Sequence, residues 1–154
     1  MADHIERVGR GEYRLRLAKE ERALLRSLLS QLRELLATED PGLERVFPPA
    51  YDDPEDEKAY RELMRGELLA GRLEALDAVE RTLDAKRLSE NELTAWLAPL
   101  NDLRLVLGTR LGVTEELYER PFDPSDPDAP TFALYGWLGW LQEQAVRALS
   151  AELD

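Results

Sequence analysis

Carboxylates are the only reactive groups this chain holds in quantity: 32 Asp and Glu against 20 Lys and Arg, one histidine and no cysteine. Two acidic clusters have the look of helix-borne magnesium ligands for nucleotide hydrolysis, EELYE at 115–119 and EALD at 74–77. Their order along the chain is the reverse of the EExxE-then-ExxD arrangement such sites use, and EELYE runs straight into Pro121. They read more simply as helix starts and solvated faces. A Ser-His-Asp triad needs an imidazole between nucleophile and orienting acid. The single candidate, His4, lies near the N-terminus and reads as a surface residue. Zinc and 2-His-1-carboxylate centres fail for the same shortage. Without cysteine there is no disulfide, thiolate ligand, thiol nucleophile or thiol redox sensor in this chain. GRGEYR lacks the spacing and the following helix of a phosphate loop. The expectation is no enzyme, no metal and no cofactor.

Charge narrows the partners. The formal net charge is −12. Residues 1–37 carry eight basic and six acidic side chains, whereas 38–154 carry 12 and 26. Binding to nucleic acid requires Lys and Arg to neutralise phosphates, which a body this acidic opposes. The N-terminal patch, Arg7, Arg10, Arg14, Arg16, Lys19, Arg22 and Arg26, is the one place where contact is conceivable, with Arg10, Arg14 and Arg16 the best candidates. LGTRLGVTEELYERPF (107–122) imitates the turn and second helix of a helix-turn-helix. Its would-be recognition helix presents Glu115, Glu116 and Glu119, which phosphates repel.

The most unusual stretch is NDLRLVLGTRLGV (101–113), a leucine-rich helix threaded with Asn101, Asp102, Arg104, Thr109 and Arg110. On a helical wheel Leu100, Leu103, Leu107 and Leu111 form one stripe, and Leu105 and Val106 widen it. Some polar groups must then sit at the core boundary, where an arginine or aspartate needs a partner. Asp102 can pair with an arginine elsewhere, and Arg104 or Arg110 can reach one of the many carboxylates or helix C-terminal carbonyls. The functional alternative makes Asn101, Asp102, Arg104, Thr109 and Arg110, with Tyr51, a surface for a protein partner.

The elements that position these residues follow from periodicity. Tyr13, Leu15 and Leu17 alternate with Arg14 and Arg16, and Gly9-Arg10-Gly11 offers a turn, so 4–17 reads as a β-hairpin. Leucines at spacings of three and four make 18–37 an amphipathic helix. LERVFPPAYDDP is read as an ordered loop anchored by Phe47 and Tyr51. Asp53 caps the next helix, with Pro54 in its first turn, and Tyr60, Leu63, Met64 and Leu68 carry it on towards Leu83. Gly66 and Gly71 weaken its middle and mark a bend or a close crossing. Ser89-Glu90-Asn91-Glu92 is a capping box. Pro99 is expected to kink that helix near 97–99 into two segments, the second ending at Gly112. Thr114 starts a short helix stopping at Pro121. PFDPSDPDAP (121–130) reads as an extended linker, and 131–152 as a buried central helix. Gly136 and Gly139 there admit a close neighbour, and Trp137 and Trp140 read as core. The expected fold is a single mainly α domain, a bundle of about five helices with a small N-terminal β-hairpin. No apolar run approaches the ~20 residues that cross a bilayer, and no signal peptide core is evident, so a cytoplasmic location is expected.

NDLRLVLGTRLGV, FPPAY (47–51) and the terminal Tyr-Gly-Trp-Leu helix together resemble an actinobacterial family long catalogued as a domain of unknown function. Its characterised AosR branch is an oxidative-stress transcription regulator. The resemblance spans nearly the whole chain. It implies a cytoplasmic, non-enzymatic regulator that contacts a stress sigma factor or RNA polymerase. The family's frequent proximity to a Clp protease adaptor implies a second possibility, an interaction module in proteolysis; an uncharacterised structural domain is a third. The redox response of the characterised branch rests on a cysteine pair that this chain lacks, so thiol sensing does not carry over. A homodimer is compatible with the aromatic final helix.

Overall fold

The computed structural model describes residues 4–38, 46, 49–111 and 124–151. The short helix expected at 114–120, the stop at Gly112, the EELYE cluster and the anchor Phe47 lie outside the described residues. Within them the chain is mainly helical, with four helices and one small antiparallel sheet.

Strands β1 (Ile5–Gly9) and β2 (Glu12–Leu15) form the expected hairpin, with Ile5 opposite Leu15 and Arg7 opposite Tyr13. The register slips between Arg7 and Gly9. Gly11 turns the chain at φ +69°, a conformation suited to glycine. The alternation of Tyr13, Leu15 and Leu17 puts all three in the core. The sequence does not announce the third strand, β3 (Arg87–Ser89), which lies on the far side of β2 and sets Leu88 against Tyr13. Three residues are too few to show a period.

Helix α1 (Lys19–Leu36) buries Leu25, Leu29, Leu32 and Leu36, spaced by four, three and four, while Leu24 is exposed. Its first turn is closed by Glu21, whose carboxylate accepts from the Ala18 N–H at 2.9 Å. Helix α2 (Pro54–Thr82) is capped as its sequence requires: the Asp53 carboxylate accepts from Glu55 N at 2.8 Å and Asp56 N at 3.4 Å. It runs unbroken through Gly66 and Gly71, and nothing lies within 4 Å of a Cβ built on either, so neither marks a crossing. Arg22 of α1 holds the far end of α2, donating to the Leu83 carbonyl and, at 3.2 Å, to that of Ala85. Tyr51 is 51% exposed, and so is not a burial anchor; Val46 fills that role at 2%.

Helix α3 (Glu90–Leu111) opens with a reciprocal box, Ser89 N to Glu92 Oε1 at 2.8 Å and Glu92 N to Ser89 Oγ at 3.1 Å. The two expected segments are one element, because α3 stays helical through Pro99. A single missing N–H leaves the rest of the ladder intact, and the proline ring is itself buried among apolar side chains. Trp96 is fully buried and donates from Nε1 to Thr82 Oγ1 at 2.8 Å.

Helix α4 (Ala129–Ser150) starts two residues before the expected 131, because Pro130 belongs to its first turn. The described part of the linker, 124–128, is exposed as expected but turned rather than extended: Asp126 accepts from Asp128 N at 2.8 Å and Ala129 N at 2.9 Å. α4 packs more extensively on α3 than on any other element. It is not buried all round. Leu138, Leu141, Ala145 and Ala148 face the core, whereas Trp140 is 41% and Val146 46% exposed.

Candidate functional site

The polar residues of NDLRLVLGTRLGV go to different places. Asp102 is 3% exposed and points to α2, where both its oxygens accept from Arg72 Nη1, at 2.8 and 3.0 Å. Arg72 also reaches the Val46 carbonyl at 3.5 Å, so the pair ties two helices to the preceding loop. Burial drives the Asp102 carboxyl above its ordinary range, and Arg72 pulls it partly back. Thr109 bonds back to the Leu105 carbonyl at 2.9 Å, Asn101 is half-buried and Arg110 exposed. Tyr51 sits edge-to-face on Tyr60, ring centres 5.6 Å apart, at the start of α2. The six candidates therefore do not form one patch.

Arg104 goes the other way, to α4. Its Nη1 donates to Gln142 Oε1 at 2.9 Å, and its guanidinium lies over the Tyr135 ring at 5.4 Å. Its Nε is buried without a hydrogen-bond partner. This seat exists because position 139 is glycine: a Cβ there would stand 3.2 Å from that Nε. The close approach expected at Gly139 is present, whereas a Cβ at Gly136 would meet nothing within 4 Å.

Around this guanidinium runs a shallow groove of about 480 Å³, lined by Arg104, Gly136, Gly139, Trp140, Gln142, Glu143 and Val146. Positions 136, 139/140, 143 and 146 recur at helical spacing, so the groove follows one outer face of α4. Gly136 opens its end, and Trp140 and Val146 give it exposed apolar area. Trp140 is propped by His4, whose ring meets it edge-on at 4.8 Å and 77°. His4 is not the loose surface residue its position suggested. Its Nε2 sits 3.0 Å from Glu21 Oε2, and its backbone N–H donates to Gln144 Oε1 at 2.8 Å. Trp140, Gln142, Glu143 and Val146 were not legible in the sequence as groove residues, nor was His4 as the ring against Trp140. The only hint was the Gly136-x-x-Gly139-Trp140 spacing.

Several of the N-terminal basic residues are engaged within the fold. Arg16 pairs with Glu6 at 3.3 Å, and Arg14 is half-buried in mid-strand, in register with that same Glu6. Arg10 stands exposed at the hairpin turn. Arg26 pairs with Asp84 at 2.7 Å, and Arg22 is used up on carbonyls. Of the EALD cluster, Asp77 pairs with Arg33 at 2.6 Å. Among the described residues no three His, Asp or Glu side chains converge as metal ligands, and no helix is long and apolar enough to cross a membrane.

Neither a curated protein nor a solved structure matches the chain. One family does, that described as a domain of unknown function (DUF2017), and its match over residues 2–149 takes in the hairpin that carries His4, the Asp102–Arg72 tie and the whole Arg104–Trp140 groove, so the chain belongs to that family.

Proposed function

We propose that this protein is a non-enzymatic, cytoplasmic regulator that works by protein contact and seats part of its partner in the groove between Arg104 and Trp140. One observation carries the reading. In a chain with 32 acidic side chains, Arg104 has no carboxylate partner among the described residues, and it stands beside an exposed tryptophan and valine. A partly desolvated cation with spare donors next to a rigid aromatic is the composition of a binding hot spot. The occupant supplies an apolar side chain for Trp140 and Val146 and an acceptor for the guanidinium. By resemblance to the AosR-like family, that partner is a sigma factor or RNA polymerase. The net charge of −12 favours protein contact over unaided DNA binding.

The test is capture from nuclease-treated native lysate with three baits, read by mass spectrometry. The chain as it stands should retain a sigma factor or polymerase. Trp140→Ala should lose it while melting as the parent does. Arg16→Ala should retain it. Recovery of Clp protease components in place of transcription proteins would replace the transcriptional reading. A partner held equally by Trp140→Ala would remove the groove from it.

A further inference from the structure

We propose that the outer face of the first half of α2 is a second docking surface, built for a basic amphipathic helix of a partner protein. α2 has 29 residues, yet its buried side chains begin only at Leu76. Leu69 and Leu73 pack against the core, so the stretch ahead of them, 54–68, is at ~1.5 Å per residue an arm of about 22 Å. Helices of this length owe most of their stability to packing of an apolar face. This one has two glycines in its middle, with open space around both.

The arm is not polar all round. Leu63 is 80% exposed, the most of any large apolar side chain among the described residues, and Leu68 37%. At 100° per residue Tyr60, Met64, Leu68 and Gly71 fall in one stripe, which Tyr51 extends by stacking on Tyr60. Beside it runs a second row, Asp56, Leu63, Glu67 and Glu74. Asp56, Glu67 and Glu74 are all exposed and have no ion pair among the described residues. An apolar stripe flanked by an uncompensated acidic row fits a helix that carries leucines on one face and Lys or Arg along its edge. A second copy fits poorly, because two arms packed antiparallel would set each acidic row against the other.

This surface is separate from the Arg104 groove and is tested separately. A labelled synthetic helix of Leu and Lys in heptads, and its Leu/Glu counterpart, are titrated with the full chain at moderate salt and read by fluorescence anisotropy. The Leu/Lys peptide should bind and the Leu/Glu peptide should not. Leu63→Ala with Leu68→Ala should weaken binding by about tenfold or more, as should Asp56→Asn, Glu67→Gln and Glu74→Gln together. An equal loss of exposed acids elsewhere, Glu20→Gln, Glu34→Gln and Glu90→Gln, should not. Trp140→Ala should leave peptide binding intact, which separates this surface from the groove. Any of four results would overturn the proposal: no binding of the Leu/Lys peptide, equal weakening by the control set, loss with Trp140→Ala, or a dimer in sedimentation that Leu63→Glu dissolves.

Discussion

Arg72→Met tests whether the Asp102 pair is held together by compensation or merely by proximity. Asp102 is 3% exposed, and Arg72 is its partner, with 32% of the side chain open. Removing one member of a fully buried pair costs about 3–5 kcal/mol, because the other charge is left without compensation. Arg72's exposure lets water screen part of that, so about 2 kcal/mol is expected. For a domain of this size that lowers Tm by about 4–8 °C. Asp102→Asn keeps the shape and removes the charge, and should cost less than Arg72→Met. The double variant should recover much of the loss. The pH dependence has a definite sign. Burial, opposed by Arg72, raises the folded Asp102 pKa above its ordinary value of 3.8. The folded state therefore holds the proton more tightly than the unfolded chain does. This residue's contribution to stability is fully present below pH 3.8 and is lost as pH rises through the raised folded value. Arg72→Met takes away the one opposing influence, so the loss should extend to higher pH. Denaturant melts of the four proteins between pH 3 and 8 give both answers. If Arg72→Met proves no costlier than Asp102→Asn, or if its pH profile parallels the parent's, the compensation argument is wrong.

Four further outcomes are expected. Gly136→Ala should raise stability by about 0.5–1 kcal/mol, since the added methyl meets nothing and alanine favours the helix. Gly139→Ala should gain less, or lose, because its methyl presses on Arg104 Nε, and it should also weaken partner capture; equal gains in thermal melts would show that Gly139 does not shape the seat. Arg22→Ala should cost about 2 kcal/mol by orphaning the carbonyls of Leu83 and Ala85, with hydrogen exchange rising first at the end of α2. Trp96→Phe should cost about 2 kcal/mol through a cavity and the lost bond to Thr82, measured by urea melts, and an unchanged midpoint would contradict the packing described.

The main-chain plan was legible where local chemistry dictates it. Asp53-Pro54 and Ser89-x-x-Glu92 are caps whose side chains reach backbone two or three residues away, and both start helices where the sequence placed them. Period two over Tyr13, Leu15 and Leu17 gave the hairpin, because alternation is itself the geometry of a strand. Long-range pairing was not legible. β3 became a strand only because β2 was there to receive it. The burial of Pro99 and the inclusion of Pro130 in α4 depend on neighbours far along the chain. The candidate site shows the same divide. That Asp102 needs a partner followed from its place beside a leucine stripe, but that the partner is Arg72 did not. His4 and Trp140 are 136 positions apart, and nothing local links them.

The polar residues of α3 are the price of a helix that packs on two sides. Asp102 and Arg104 differ by two positions, about 200° around the helix, so they must point to opposite neighbours. One meets α2 and the other α4, between which the leucine stripe is already committed to the core. A structural account is complete for Asp102, whose two oxygens are both satisfied. It is incomplete for Arg104. Gln142 takes one guanidinium nitrogen, Tyr135 the face, and Gly139 makes the room, yet among the described residues Nε remains unbonded and no carboxylate answers the charge. If this residue served packing alone, leucine would fill the space without the desolvation. Arg104→Leu is therefore expected to fold at least as stably as the parent and to lose the partner. A variant that instead unfolds would make the arginine structural and leave Trp140 to carry the groove by itself.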